Sequence, residues 1–303
     1  MPEKINPYKA FNTDDEMKGI IYMLIASFLF SCMGFFIKKL SVHHAPMEMI
    51  FFRNIVSLAL IIGSMLIFKP SNQGGKPFLL AMRGVYGFIA MFFYFFSVSV
   101  LPLATAATFS KTSPMFTAVI GGFLLKEKTG SKLWTSIIVG FIGILFILKP
   151  SGEISLLGSL AGIGCGFFAA LAYATVRGLA NYYDARMMVM SFSLAGLGGS
   201  SLYFIVMHFL GVPRYNSLAF VPAGIDIFYM FMLGLVAVVA QYYMSRSYFY
   251  GRVALMSTVG YSELLFSVFT GMLAGDMFPD SLSLLGILLV GFSGILIMRA
   301  RKS

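Results

Sequence analysis

Residues 104–125 read ATAATFSKTSPMFTAVIGGFLL, and residues 253–274 read VALMSTVGYSELLFSVFTGMLA. The two stretches lie over each other at an offset of 149, which sets Lys111 on Gly260 and Pro114 on Glu263. A short slip raises the offset to 151, and Val139-Gly140-Phe141 with Gly143-Ile144-Leu145 then falls on Val290-Gly291-Phe292 with Gly294-Ile295-Leu296. Upstream, Gly19 to Leu40 lies over Gly158 to Leu179, matching Gly19 with Gly158, Phe28 with Phe167, Lys38 with Arg177 and Leu40 with Leu179. Identity is low, but apolar spans, glycines and charged ends recur in one order. The chain is written twice.

What is written twice is apolar. Hydrophobic residues make up 58% of the chain and charged ones 11%, which excludes an ordinary soluble domain. A bilayer core takes about 20 apolar residues per helix. Such runs fall at 17–40, 46–68, 77–101, 103–125, 131–149, 155–180, 186–210, 224–247, 252–275 and 280–299. The fold expected is an all-α membrane protein of ten transmembrane helices. A polar tail (1–16) leads into a first five-helix repeat at 17–149, and a second at 155–299 ends in a short tail (300–303). Only Pro102 separates the third span from the fourth, and a tight turn there is the natural reading because proline disrupts a continuing helix. An odd number of spans per half makes the two repeats inverted about an axis in the membrane plane, the build that secondary transporters use.

The net charge of +10 is explained by topology rather than by nucleic acid. With the N-terminus inside, the inner segments hold Lys4, Lys9, Lys18, Lys69, Lys76, Lys126, Lys128, Lys132, Arg177, Arg186, Arg246, Arg252, Arg299, Arg301 and Lys302. The outer segments hold only Lys38, Lys39, Lys149 and Arg214. The positive-inside rule therefore puts both termini in the cytoplasm of a multi-pass protein of the cytoplasmic (inner) membrane. No cleavage signature precedes the first span, so no removable signal peptide is expected. Cys32 and Cys165 fall inside spans and read as small packing residues.

Small residues at four-residue spacing, Gly158, Gly162, Gly166, Ala170 and Ala174, form one helical face that admits a close neighbour. Packing inside the protein is the first use of such a face, and a homodimer seam is the other. Gly140 and Gly143, repeated as Gly291 and Gly294, suggest the same in the fifth and tenth spans.

Charges inside spans need a reason, since each costs about 2.5–3.5 kcal/mol at mid-bilayer. Glu263 sits near the middle of the ninth span and must be paired, neutral or beside an aqueous cavity. It is read as a proton-coupling site or countercharge, with a structural hydrogen bond as the rival. Lys111 sits within SKTSP, and the repeat brings it close to the depth of Glu263. It is read as a solute anchor, with a structural Lys111–Glu263 salt bridge as the rival. Pro114 frees the Ser110 carbonyl and makes a candidate hinge. Arg83 and Arg53 lie close enough to span ends to snorkel, and Arg83 is the better candidate for the solute. Gln241 and the mid-depth tyrosines Tyr94, Tyr173, Tyr243 and Tyr261 complete the candidate binding set, because a buried hydroxyl needs a partner. His43, His44 and His208 form no metal-ligand pattern, and there is no Walker loop, dinucleotide fingerprint or nucleophile elbow. Neither an enzyme nor an ATP-driven pump is indicated, and no cofactor or metal is called for. The expected partners are a small-molecule solute and membrane lipid, with no nucleic acid.

These residues carry a resemblance to the EamA branch of the drug/metabolite transporter superfamily. It rests on Arg83-Gly84, on Leu101-Pro102-Leu103-Ala104, on Ser113-Pro114-Met115-Phe116-Thr117-Ala118 with Leu125-Lys126-Glu127, and on Gly140-Phe141-Ile142-Gly143. In the second copy it rests on Tyr261-Ser262-Glu263-Leu264-Leu265 and Gly275-Asp276, with Leu264 where many relatives have proline. The resemblance spans residues 17–299 and implies ten helices in two inverted repeats, working by alternating access. It implies a central cavity built from the first, third, fourth, sixth, eighth and ninth spans. The solute it suggests is a small polar or amphipathic metabolite, an amino acid or organic anion. A lipid-linked carrier flippase of the same fold is the alternative, and an intramembrane enzyme a more distant one.

Overall fold

Prolines set several helix starts, because a fixed φ and a missing N–H cost nothing in a first turn. The computed structural model describes residues 13–68, 74–113, 115–116, 131–148, 155–179, 182–216, 220–250, 256 and 259–300. Helix α1 runs Thr13–Leu40, α2 Pro46–Ile67, α3 Pro77–Val100 and α4 Leu103–Ser110, with Pro102 at the expected turn. Then follow α5 Ser131–Leu148, α6 Leu156–Leu179 and α7 Ala185–Phe209. A single turn at Pro213–Asn216 precedes α8 Ile225–Tyr250, α9 Ser262–Ala274 and α10 Ser281–Ala300. Two caps are explicit. Asp184 accepts from the Arg186 N–H at 2.8 Å to open α7, and Gly275, at φ 108°, closes α9 in the left-handed region that favours glycine.

Among the described residues there is no strand, and six helices are long and apolar enough to cross a membrane: α1, α2, α3, α6, α7 and α8. Shorter apolar stretches lie at Ile138–Ile147, Ser262–Ala274 and Ser281–Ser293.

Packing follows the written repeat. Helix α1 lies on α8 as α6 lies on α3, α1 on α9 as α6 on α4, and α2 on α8 as α7 on α3. Helices α2 and α7, α4 and α9, and α5 and α10 pair with each other. The small-residue face of α6 is used within the chain: Gly158 meets Val100 and Leu101, Gly162 meets Phe109 and Ser97, and Gly166 meets Thr112. A methyl group at any of these would collide with its neighbour, so glycine lets α6 close on α3 and α4. Between α5 and α10 the close approach is Gly143 against Gly286, whose carbonyls each face the other glycine. The expectation that Gly291 would serve there is corrected, since no atom of the described residues lies within 4 Å of a side chain placed on it.

Two expected spans are interrupted. Helix α4 stops at Ser110, and Lys111-Thr112 form a turn; in the ninth span Gly260-Tyr261 form a turn before α9 begins. These are one break made twice. The Lys111 N–H donates to the Ala107 carbonyl at 3.1 Å, and the Gly260 N–H to that of Met256 at 2.9 Å. The Met115 N–H donates to Thr112 at 2.9 Å, and the Leu264 N–H to Tyr261 at 3.0 Å. Each pair is related by the offset of 149 read from the sequence.

Ionic ties gather where α1 ends and α2 begins. Lys38 pairs with Asp276 at 3.0 Å and donates to the Leu101 carbonyl at 2.6 Å, while Asp276 accepts from the Leu103 N–H at 2.7 Å. Beside them Arg214 donates to both oxygens of Glu48, at 2.6 and 2.7 Å. The ring of His44 lies between Glu48 (3.3 Å) and Asp226 (3.2 Å). The hydrogen bonds that Arg214 donates to Glu48 hold it above its ordinary pKa against the cost of its partial burial. At the opposite end Arg186 donates to the Phe68 carbonyl at 2.6 Å and binds Asp184. Burial raises the Asp184 carboxyl, but the hydrogen bonds from Arg186 outweigh it and hold the group below its usual range.

Candidate functional site

Between the halves lies an open cavity that, together with its solvent-filled mouth, holds about 1020 Å³ of empty space. Its wall takes Met23 to Met33 from α1, Arg83 to Phe95 from α3, Cys165 to Tyr173 from α6 and Gln241 to Tyr248 from α8. On α1 and α3 the lining residues fall in the middle of the helix, and on α6 and α8 toward its C-terminal end. The cavity therefore lies at mid-bundle and extends away from the Lys38–Asp276 tie. The two helix breaks enter the wall as Ser110, Lys111 and Ser113 on one side and Gly260 and Glu263 on the other.

Lys111 and Glu263 meet at 2.6 Å. The breaks explain how both charges are accommodated. Lys111 is the residue at which α4 ends, where unsatisfied carbonyls favour a cation, and Glu263 lies in the first turn of α9, where free N–H groups favour an anion. Tyr261 donates its hydroxyl to the Lys111 carbonyl at 3.1 Å and ties one break to the other. Glu263 is thus buried as expected, yet it lies at a helix start rather than in mid-helix.

The arginines depart further from expectation. Neither snorkels: Arg53 is 2% exposed and Arg83 3%. Both line the cavity, and both guanidinium groups lie over the ring of Phe192, at 4.9 and 5.6 Å from its centre. Helices α2 and α7 begin 139 residues apart, so Arg53 and Phe192 hold the same position in paired helices and face each other. Arg53 Nη1 donates to Asn54 Oδ1 at 2.9 Å and lies 3.0 Å from the Met91 sulfur. Among the described residues no carboxylate lies within ion-pair distance of either guanidinium. Gly87 makes room for the stack, since a methyl group there would strike the Phe192 ring and come within 2.6 Å of Arg83 Nη1.

Among the described residues, half of the buried side-chain polar atoms without a partner belong to this wall. Ser27 Oγ, Arg53 Nε, Arg83 Nε and Tyr94 Oη are all buried, lack a hydrogen bond and belong to residues of the cavity wall. Leaving such groups unsatisfied costs about 1–3 kcal/mol each, so the wall carries hydrogen-bonding demand that a polar solute or water can meet.

Of the residues expected from the sequence, Arg83, Tyr94, Lys111, Tyr173, Gln241 and Glu263 come together in this wall. Tyr261 stands behind it as the donor to Lys111. Tyr243 does not reach it; its ring packs on Tyr22 at 5.4 Å. Pro114 lies outside the described residues. The expected set of lining helices omitted α2 and α7, which contribute Arg53 and Phe192. Ser27 and Tyr248 were also missed. A signal for Arg53 was present in α2, where Met49, Ile50, Arg53, Asn54, Ser57 and Leu58 recur at helical spacing and share a buried face.

Comparison with known proteins now bears on the cavity. The model of the EamA-like transporter family matches residues 17–149. A protein of Helicobacter pylori strain J99 described as an uncharacterized transporter is 31% identical, the match covering 92% of this chain and 94% of that one. The chain belongs to the EamA family. This EamA chain is also 25% identical to the pseudopaline exporter CntI of Pseudomonas aeruginosa strain UCBPP-PA14, over 94% of this chain and 97% of that protein. It is 22% identical to the S-adenosylmethionine uptake transporter of Rickettsia conorii, over 94% of each. A crystal structure with 18% identity superposes with a TM-score of 0.64, covering 96% of this chain and 99% of the other, which shows a shared fold. The EamA relatives are transporters rather than enzymes, and this EamA protein is an integral membrane transporter.

Proposed function

We propose that the protein is a secondary active transporter of a small polar or amphipathic metabolite, an organic anion or amino acid, working by alternating access. One observation carries the choice of solute: among the described residues, the charged groups of the cavity wall are Arg53, Arg83 and Lys111 against Glu263. Positive charge in excess inside a low-dielectric site draws a negative group. Lys111, Arg83, Tyr94, Tyr173 and Gln241 contact the solute in this reading, Tyr261 supports Lys111, and Glu263 is the countercharge through which a proton is coupled.

The ten-helix inverted arrangement is supported by the exchange of packing partners between halves and by the helix break that recurs at an offset of 149. Both termini are cytoplasmic, as the cation distribution argues. In that orientation the cavity reaches toward the cytoplasm, and the Lys38–Asp276 and Glu48–Arg214 ties close the outer side.

The test is flux in proteoliposomes with and without an imposed pH gradient. Wild type accumulates its solute, Lys111→Ala does not, and Glu263→Gln exchanges solute but no longer accumulates it under the gradient. Equal accumulation by wild type and Glu263→Gln removes the coupling role. Full activity of a Lys111→Met, Glu263→Gln double variant removes Lys111 as the anchor.

A further inference from the structure

Lys111 and Glu263 neutralise each other at 2.6 Å, which leaves Arg53 and Arg83 as the uncompensated charges of the cavity wall. Arginine stays protonated in proteins, and a buried charge without a partner costs several kcal/mol. Both guanidinium groups are measured from one ring centre, at 4.9 and 5.6 Å, so one small molecule can touch both. Each also keeps a buried Nε–H with no acceptor among the described residues. Much of the remaining wall is apolar, with Met23, Phe30, Met33, Met91, Phe95 and Met244 around the charged pole.

From this charge balance we infer that the solute is an amphipathic dianion, two acidic charges on an apolar body, with Arg53 and Arg83 taking the two charges and Tyr94 and Ser27 donating to the acid oxygens. The inference rests on reading this cavity as the transport site. A monoanion leaves one guanidinium bare, and a zwitterion of zero net charge leaves the balance of the cavity unchanged. The dianion alone closes it. Phe192 acts as a positioning residue, holding both guanidinium groups on its ring at the place where their repeat-related helices meet. Two chemistries supply such a solute, a dicarboxylate and a phosphate monoester, and they share the pair of negative charges.

The experiment is a ligand-dependent melting measurement on the purified full chain in detergent at pH 8. The probes are adipate with its monomethyl ester, phthalate with benzoate, and phenyl phosphate with methyl phenyl phosphate; methionine stands for zwitterions and chloride for simple anions. At least one dianion is expected to bind tenfold or more tightly than its matched monoanion. Whether the carboxylates or the phosphate lead decides between the two sources. Arg53→Gln and Arg83→Gln abolish the tenfold preference, and Arg83→Lys, which keeps the charge, retains part of it. Without ligand, Arg53→Met and Arg83→Met melt at or above wild type, because each removes an uncompensated buried charge. The proposal is overturned if a monoanion, methionine or chloride matches the best dianion, if no probe shifts the melting point, or if the preference survives both glutamine variants. It is overturned equally if the methionine variants melt lower or fail to fold, since the arginines are then structural. A monoanion or zwitterion bound through Lys111 would remove the dianion and leave the transporter reading standing.

Discussion

The cavity holds its positive charge in two ways. Lys111 is paired with Glu263 and ends a helix whose carbonyls favour it; Arg53 and Arg83 share a phenylalanine ring and, among the described residues, face no carboxylate. The first arrangement is satisfied without a ligand, whereas the second is stable only because the surrounding fold pays its cost. The difference teaches which charges hold the protein together and which await something from outside. It also predicts that neutralising the two kinds of charge changes stability in opposite directions.

The largest effect is expected at the paired site. Glu263→Gln strands a buried lysine, a type of change that costs about 3–5 kcal/mol; the partial exposure of Lys111, 21% at its side chain, places the loss near the lower figure. Denaturant or thermal unfolding in detergent reads it, and a companion Lys111→Met change restores most of it. A loss as small as that of an exposed pair, below about 1 kcal/mol, breaks the distinction between the two sites. Next comes Gly87→Ala. Its added methyl pushes into the Phe192 ring and Arg83, and overpacking of that kind costs about 1–3 kcal/mol. The effect sharpens the comparison because it disturbs the arginine stack and leaves Lys111 and Glu263 in place. Solute affinity is expected to fall with stability, and an unchanged melting point would show that Phe192 is free to move aside. The smallest effect is at Tyr261→Phe, which deletes the hydroxyl bond to the Lys111 carbonyl at about 1 kcal/mol. Stability is expected to drop slightly with little change in anion preference. A large loss of transport instead would mean that this tyrosine touches the solute.

Much of this frame was legible in the sequence. Pro102 marked the turn between the third and fourth spans, the repeat marked equivalent helices, and the register that set Lys111 on Gly260 brought it to the depth of Glu263. The breaks were not legible. Lys111-Thr112 and Gly260-Tyr261 interrupt segments whose hydropathy runs on unbroken, and hydropathy reports where a segment dissolves, not how its backbone bonds. The arginines were misplaced for a related reason. Counting residues from a span end gives depth, and both were shallow enough to reach water. Which way a side chain faces depends on its helical neighbours, and Gly84, Gly87 and Ala90 beside Arg83 mark a face pressed against other helices. Tyr243 shows the converse error, since repeat equivalence with Tyr94 places it at a matching position, yet its ring turns to Tyr22 while Gln241 and Met244 beside it line the wall.

Helix α4 has only eight residues, a rod of about 12 Å. Asp276 holds one end through the Leu103 N–H, and Glu263 holds the other through Lys111. Both carboxylates belong to the α9 segment, so rod and segment form a closed linkage pinned at two corners. A linkage so short has little slack. Drawing Asp276 away from Lys38 is expected to load the rod along its length and to be felt at Lys111. The tie at the end of the bundle and the ion pair in its cavity therefore work as one mechanism, with α4 as the connecting bar.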